Sequence, residues 1–283
     1  MKRIKILHRT YYNFSTPVEL GTHFLRLRPR ESHQLRIESA NLKLAPDPTV
    51  SWKSDIEGNS ITKATFRSPT MQLSIESEIV VQQYNENPFD FLIEEYAAQS
   101  PFDYSDQDSP ILRPYVTESN QAGNTKVSDW AFALWNGTES IETISLLLRI
   151  AHRIRTDFQY IVRDEPGVQP ADEILSRQSG SCRDFATLFI AVARHFGFAA
   201  RFVSGYLVAE PSNCNYGATH AWTEVYLPGG GWMGIDPTLG IMSGSDHIPV
   251  AVSHLPDSVP PVAGSYSGNA FAEMDVGVWV TPL

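Results

Sequence analysis

The chain has 283 residues, enough for two domains with their own cores, and its 42% hydrophobic and 19% charged content is that of a globular protein. A formal net charge of −10 argues against a phosphate-binding surface, so nucleic acid is not expected as a partner. The longest apolar run, residues 188–193, is far short of a membrane span, the first residues lack the apolar stretch of an export signal, and two cysteines make no disulfide framework. No membrane contact and a cytoplasmic location are therefore the expectations.

Residues 1–95 read as a strand-rich domain. Ile4, Ile6 and His8 alternate with Lys5, Leu7 and Arg9, the period of a half-buried strand. Gly58 and Asn59 supply a turn between strand candidates at 50–53 and 61–67, and residues 71–83 alternate again through Leu73 and Ile75. Short strands divided by turn signals predict a β-sandwich. This half carries no cluster of catalytic residue types and is expected to be structurally separable.

Residues 96–137 shift to Pro, Ser, Asp and aromatic residues and read as a connecting segment with a short helix at Trp130 and Leu134. Residues 138–283 form the third unit. Thr138 is the expected N-cap of a helix with an apolar face of Ile141, Ile144, Leu148, Ala151 and Ile154, and a short helix follows at 172–176.

The next helix spans about 179–197, with Phe185, Leu188, Phe189, Val192 and Phe196 on one face and Gly197 placed to end it. Gly180 and Ser181 mark its start, so Cys182 falls in the first turn. Unpaired N–H groups and the positive end of the helix dipole favour a thiolate there, and the thiolate is the reactive form of cysteine. The plainer reading of a lone cysteine is a small core residue.

A strand at 201–208 and a polar loop at 211–217, which holds Cys214 as an ordinary thiol, lead to a cleanly alternating strand at 220–227. His220, Trp222, Glu224 and Tyr226 share one of its faces. A three-residue loop, Pro228 to Gly230, pairs Leu227 with Gly231 and hence Trp222 with Asp236. His220 then lies one diagonal step from Asp236 on the same face, and a slip of one residue would separate them. Pro237 ends that strand, and later strand candidates lie at 248–252 and 276–280.

A nucleophile, a base and an orienting carboxylate are what acyl transfer through a thioester requires. Zinc held by Cys182, Cys214 and His220 competes as a reading, but no Cys-x-x-Cys or His-x-x-x-His spacing supports it. A non-catalytic scaffold is the other alternative, with no need of an activated Cys182.

Gly180-Ser-Cys-Arg-Asp-Phe185, Ala200-Arg-Phe-Val-Ser-Gly-Tyr206, His220-Ala-Trp-Thr-Glu-Val-Tyr226 and Gly231-Trp-Met-Gly-Ile-Asp-Pro-Thr238 resemble the core of the bacterial transglutaminase-like cysteine peptidases. His8-Arg-Thr-Tyr, Pro17-Val, Leu25-Arg-Leu-Arg-Pro-Arg30 and Gly58-Asn59 resemble the β-rich domain that precedes that core. The resemblance implies an α+β fold: an N-terminal β-sandwich-like domain, then a papain-like transglutaminase core with its catalytic helix packed on an antiparallel sheet. It implies Cys182, His220 and Asp236 as the triad. It also hints at a second oxyanion donor near Tyr160, beside the backbone N–H of Cys182. Asp184 and Trp222 are expected in support, and Ser181, where many relatives carry an apolar residue, is expected to affect packing. The implied reaction is attack on an amide of a protein or peptide substrate without a cofactor. Water resolves the thioester in a peptidase or amidase and an amine does so in a transglutaminase; hydrolysis is favoured because such relatives are usually classed as peptidases. Asp236→Asn is expected to hurt less than His220→Ala.

Overall fold

The computed structural model describes residues 1–84, 86–117, 125–208 and 219–283. Its N-terminal strands are β1 (Lys2–Leu20), β2 (His23–Leu25), β3 (Leu35–Ala45), β4 (Thr49–Ser54), β5 (Ser60–Thr65) and β6 (Thr70–Gln83). Then come β7 (Gln99–Ser100), α1 (Ser109–Val116), α2 (Thr125–Leu134), β8 (Ile141–Glu142), α3 (Thr143–Asp157), β9 (Gln159–Tyr160), α4 (Ala171–Arg177), β10 (Ser179–Gly180) and α5 (Cys182–His195). The chain continues through β11 (Ala200–Leu207), β12 (Thr219–Leu227), β13 (Gly231–Asp236), β14 (Ile241–Met242) and β15 (His247–Ser253). It closes with β16 (Val262–Ala263), β17 (Tyr266–Ser267) and β18 (Ala272–Pro282). The architecture is α+β.

The period-2 pattern of β1 buries Ile4, Ile6 and His8 and leaves Lys5, Leu7 and Arg9 half-buried. One N-terminal sheet runs β17-β1-β6-β3 with β18 also on β1, and a second runs β16-β2-β5-β4. Their inner faces enclose Phe14, Leu25, Phe66, Leu73 and Ile75, a sandwich core.

Residues 272–282, grouped by the sequence reading with the catalytic half, return to this sandwich. Ala272 to Pro282 pair antiparallel with Phe14 to Ile4, across almost the whole chain. No local signature marks such a distant pairing. The two halves are also packed directly against each other. Ile4, Ile6 and Leu35 share one apolar cluster with Tyr206, Ile248 and Val250. Two residues of the N-terminal motifs dock the core directly. His8 Nδ1 lies 3.0 Å from the Tyr206 hydroxyl, and burial pushes the His8 imidazolium down to about 4, so the ring bonds as a neutral group. Asn59 donates to Val252 O and accepts from Val252 N–H, each at 2.8 Å. A fragment starting near residue 95 would strip β18 of its partner and bare Tyr206 and Ile248.

The C-terminal half is built on an antiparallel sheet ordered β14-β13-β12-β11-β15. α5 packs across β12 and β11 with Phe185, Leu188, Phe189 and Val192 each at most 1% exposed. Each such side chain contributes about 1.5–3 kcal/mol of burial, which fixes the helix that carries Cys182. Gly197, at φ +86°, ends the helix in the left-handed region a side chain would strain. α3 begins at Thr143 rather than Thr138, because Thr138 donates from both N and Oγ1 to Asn136 Oδ1 in the preceding turn. Its buried face is Leu146, Leu147, Ile150, Ala151 and Ile154; Ala151 and Ile154 are as expected, while Ile144 and Leu148 of the expected stripe are half-buried at its edge. Cys214 lies outside the described residues. Among the described residues no helix is long and apolar enough to cross a membrane.

Candidate active site

The hairpin register is the expected one: Leu227 pairs with Gly231 and Thr223 with Ile235, which brings Trp222 opposite Asp236. His220 Nε2 consequently lies 2.7 Å from Asp236 Oδ2. Cys182, in the first turn of α5, lines the same cavity as His220 and lies close enough to raise the pKa of its ring. Cys182, His220 and Asp236 are therefore brought together, with Asp236 fully buried and Cys182 8% exposed.

Electrostatics within the group are strongly coupled. Burial by itself lowers the His220 imidazolium pKa, but hydrogen bonds and charge from Asp236 and Cys182 outweigh it and raise it to about 10. Burial likewise disfavours the Asp236 carboxylate, yet bonds from His220 and His247 hold it below the usual carboxylate range. Asp236 Oδ1 accepts from Thr238 N–H at 2.8 Å and Leu239 N–H at 3.2 Å. The carboxylate thus caps the turn after β13 and orients the imidazole at once.

His247, absent from the sequence reading, completes the site. Its Nε2 lies 3.0 Å from Asp236 Oδ2, while its Nδ1 accepts the Gly244 N–H at 3.2 Å. That acceptor role fixes the tautomer, leaving the proton on Nε2 for Asp236. The only sequence signal was its position at the head of the strand candidate at 248–252.

The three supporting residues also converge. Trp222 is 2% exposed; its ring is stacked beside His220 at 6.1 Å between centroids and meets His247 edge-on at 5.2 Å. Room for it comes from Gly205, whose added Cβ would lie 2.5 Å from the indole. Asp184, fully buried, accepts from Ser181 N–H and Oγ, both at 2.8 Å, from Gln169 N–H at 2.8 Å and from Arg163 Nη1 at 2.7 Å. Burial raises its pKa, but those bonds win and lower it, so the first turn of α5 keeps a fixed negative partner. Ser181 thus fixes the start of α5 through its hydroxyl bond to Asp184, a contact the expected packing role did not include.

Tyr160 reaches the site by parallel pairing of β9 with β10, Gly180 opposite Tyr160. Its ring sits edge-on to Phe185 at 6.1 Å, and it lies close enough to Cys182 for the sulfur to raise its phenol pKa. Burial, with the charge of Cys182, pushes the phenol up to about 12, so it stays protonated as a donor.

The nitrogens of His220 and His247 and an oxygen of Asp236 lie within 4.8 Å of one another, a ligand set that suits several metals. The 2.7 and 3.0 Å contacts of the two Nε2 atoms to Asp236 Oδ2 have the lengths of hydrogen bonds.

Residues 131–237 match the family model of the transglutaminase-like superfamily, and residues 4–82 match that of the bacterial transglutaminase-like N-terminal region. An uncharacterised protein of Mycobacterium leprae is 27% identical over 287 residues, covering all of both chains. One of Mycobacterium bovis is 28% identical over 300 residues, covering 99% of this chain and 93% of that one. The crystal structure of a candidate cysteine protease from Cytophaga hutchinsonii superposes with a TM-score of 0.76 at 20% identity, covering 100% of this chain and 91% of that one, and shares the fold. The core match contains Cys182, His220 and Asp236, and the chain belongs to the transglutaminase-like superfamily, with a bacterial transglutaminase-like N-terminal region ahead of its core.

Proposed function

We propose that the protein is a cysteine hydrolase of peptide or amide bonds, with Cys182 as nucleophile, His220 as acid and base, and Asp236 as the orienting carboxylate. The observation that carries this reading is the 2.7 Å bond from His220 to buried Asp236, on a ring that lines one cavity with a helix-N-terminal cysteine. The description of the Cytophaga hutchinsonii protein as a candidate protease agrees with it.

In the first half-reaction the Cys182 thiolate forms a C–S bond to the substrate carbonyl carbon. The developing oxyanion accepts hydrogen bonds from the Cys182 backbone N–H and the Tyr160 hydroxyl. The His220 imidazolium then gives its proton to the departing amine nitrogen as the C–N bond breaks, leaving a thioester and a neutral imidazole. Water attacks the thioester, His220 takes its proton, and the acid departs as the thiolate and imidazolium re-form. Asp236 keeps the protonated ring in register throughout, and His247 holds Asp236.

Peptide-library turnover with and without excess methylamine tests the assignment. The expected products are free carboxylates in both conditions. Products formed only as N-methylamides would replace water by an amine as acceptor, and no turnover in either would favour a scaffold.

A further inference from the structure

A cavity of about 340 Å³ opens at Cys182 and His220, a size within the usual range of small-molecule pockets. Its depth has a sequence cause. Ser204 and Ala221 are directly opposed on β11 and β12, and this pair of small residues leaves space beside the imidazole. Around that space stand Val168, Phe202, Val259, Pro261 and Val262. Val262 pairs with Leu25 of β2, so the N-terminal sandwich anchors one wall of a pocket that opens on the core's cysteine.

Two charged residues also border the cavity, and both are engaged with backbone. Arg183 Nη2 donates to the carbonyls of Arg163 at 3.0 Å and Glu165 at 3.2 Å. Asp257 Oδ1 accepts the Val168 N–H at 3.1 Å, tying the loop to the turn after β15. A charged substrate side chain entering here would lose water and meet apolar walls, whereas an apolar one would gain burial.

We infer that this cavity selects substrates whose acyl portion carries a branched or aromatic apolar side chain within two residues of the scissile carbonyl. The inference rests on the proposed nucleophile, Cys182. Because the pocket is lined by Cys182 and by the neighbours of His220, a side chain seated in it holds its own carbonyl over the first turn of α5, where the thioester forms.

The test uses the full chain and acetyl-dipeptide chloromethyl ketones bearing Leu, Phe or Asp at either position. The Cys182 sulfur forms the C–S bond and chloride leaves, and each rate is divided by that of iodoacetamide on the same protein. Leu or Phe at one position is expected to react about tenfold or more faster than Asp at that position. In Val168→Asn and Val262→Asn, two variants on separate walls, that ratio is expected to fall at least about threefold. Equal rates for the three side chains, or a preference that neither variant changes, would overturn the pocket assignment while leaving the nucleophile intact. Failure of Cys182 to react with iodoacetamide at all would overturn the proposed function, and this inference with it.

Discussion

Cys182→Ala is expected to lower turnover of any amide the protein cleaves by about 10⁵-fold or more, since loss of the nucleophile removes the covalent route altogether. The fold should survive. Position 182 is the first residue of α5, where alanine is a good helix former, and the residues that fix the helix start, Ser181 and Asp184, are untouched. Steady-state rates beside a thermal melt check both halves of the expectation. Activity within tenfold of wild type in a folded variant would remove Cys182 from the chemistry.

Asp236→Asn is expected to be nearly as severe, about 10³- to 10⁴-fold, where sequence reasoning expected a milder loss than for His220→Ala. The structure supplies the reason. Oδ1 accepts from two backbone N–H groups and Oδ2 from two imidazoles, so four donors converge on this carboxylate. An amide offers one oxygen, and its NH₂ must face either the turn or the histidines. Facing the turn, it opposes the Thr238 and Leu239 N–H groups and leaves buried donors unpaired, at about 1–3 kcal/mol each. Facing the histidines, it turns the His220 proton to the other ring nitrogen, and a neutral ring in that tautomer cannot accept the thiol proton there. Turnover with the melting temperature of Asp236→Asn and His220→Ala measures the comparison. Loss of less than about tenfold in Asp236→Asn would mean that the carboxylate charge is dispensable.

The sequence carried the local parts of this site well. The apolar stripe of α5 and its flanking glycines put Cys182 at a helix N-terminus, and the length of the 228–230 loop set the register that joins His220 to Asp236. Both are short-range features, where periodicity and turn chemistry dominate. What escaped depends on distant segments. His247 meets Asp236 only because β15 crosses to the far side of β11, and no spacing rule links the two positions. The pairing of β18 with β1 escaped for the same reason. The docking role of Asn59, which pairs with the Val252 backbone, lay hidden behind an ordinary turn signal. For Ser181, a hydroxyl in place of an apolar side chain read as packing, because its partner Arg163–Asp184–Gln169 network is assembled by a loop.

The central claim is that Cys182 and His220 form a thiolate–imidazolium pair, and the pH dependence of iodoacetamide alkylation at Cys182, followed by peptide mass mapping, tests it most directly. Asp236 and Cys182 outweigh burial and raise the His220 imidazolium to about 10, so the ring keeps its positive charge across the whole range from pH 6 to pH 9. Alkylation of Cys182 is therefore expected to change less than about threefold between pH 6 and pH 9, whereas an ordinary thiol would speed up roughly two hundredfold over that range. His220→Ala is expected to restore the steep dependence. A steep profile in the wild-type protein, or a flat one that survives His220→Ala, would contradict the account.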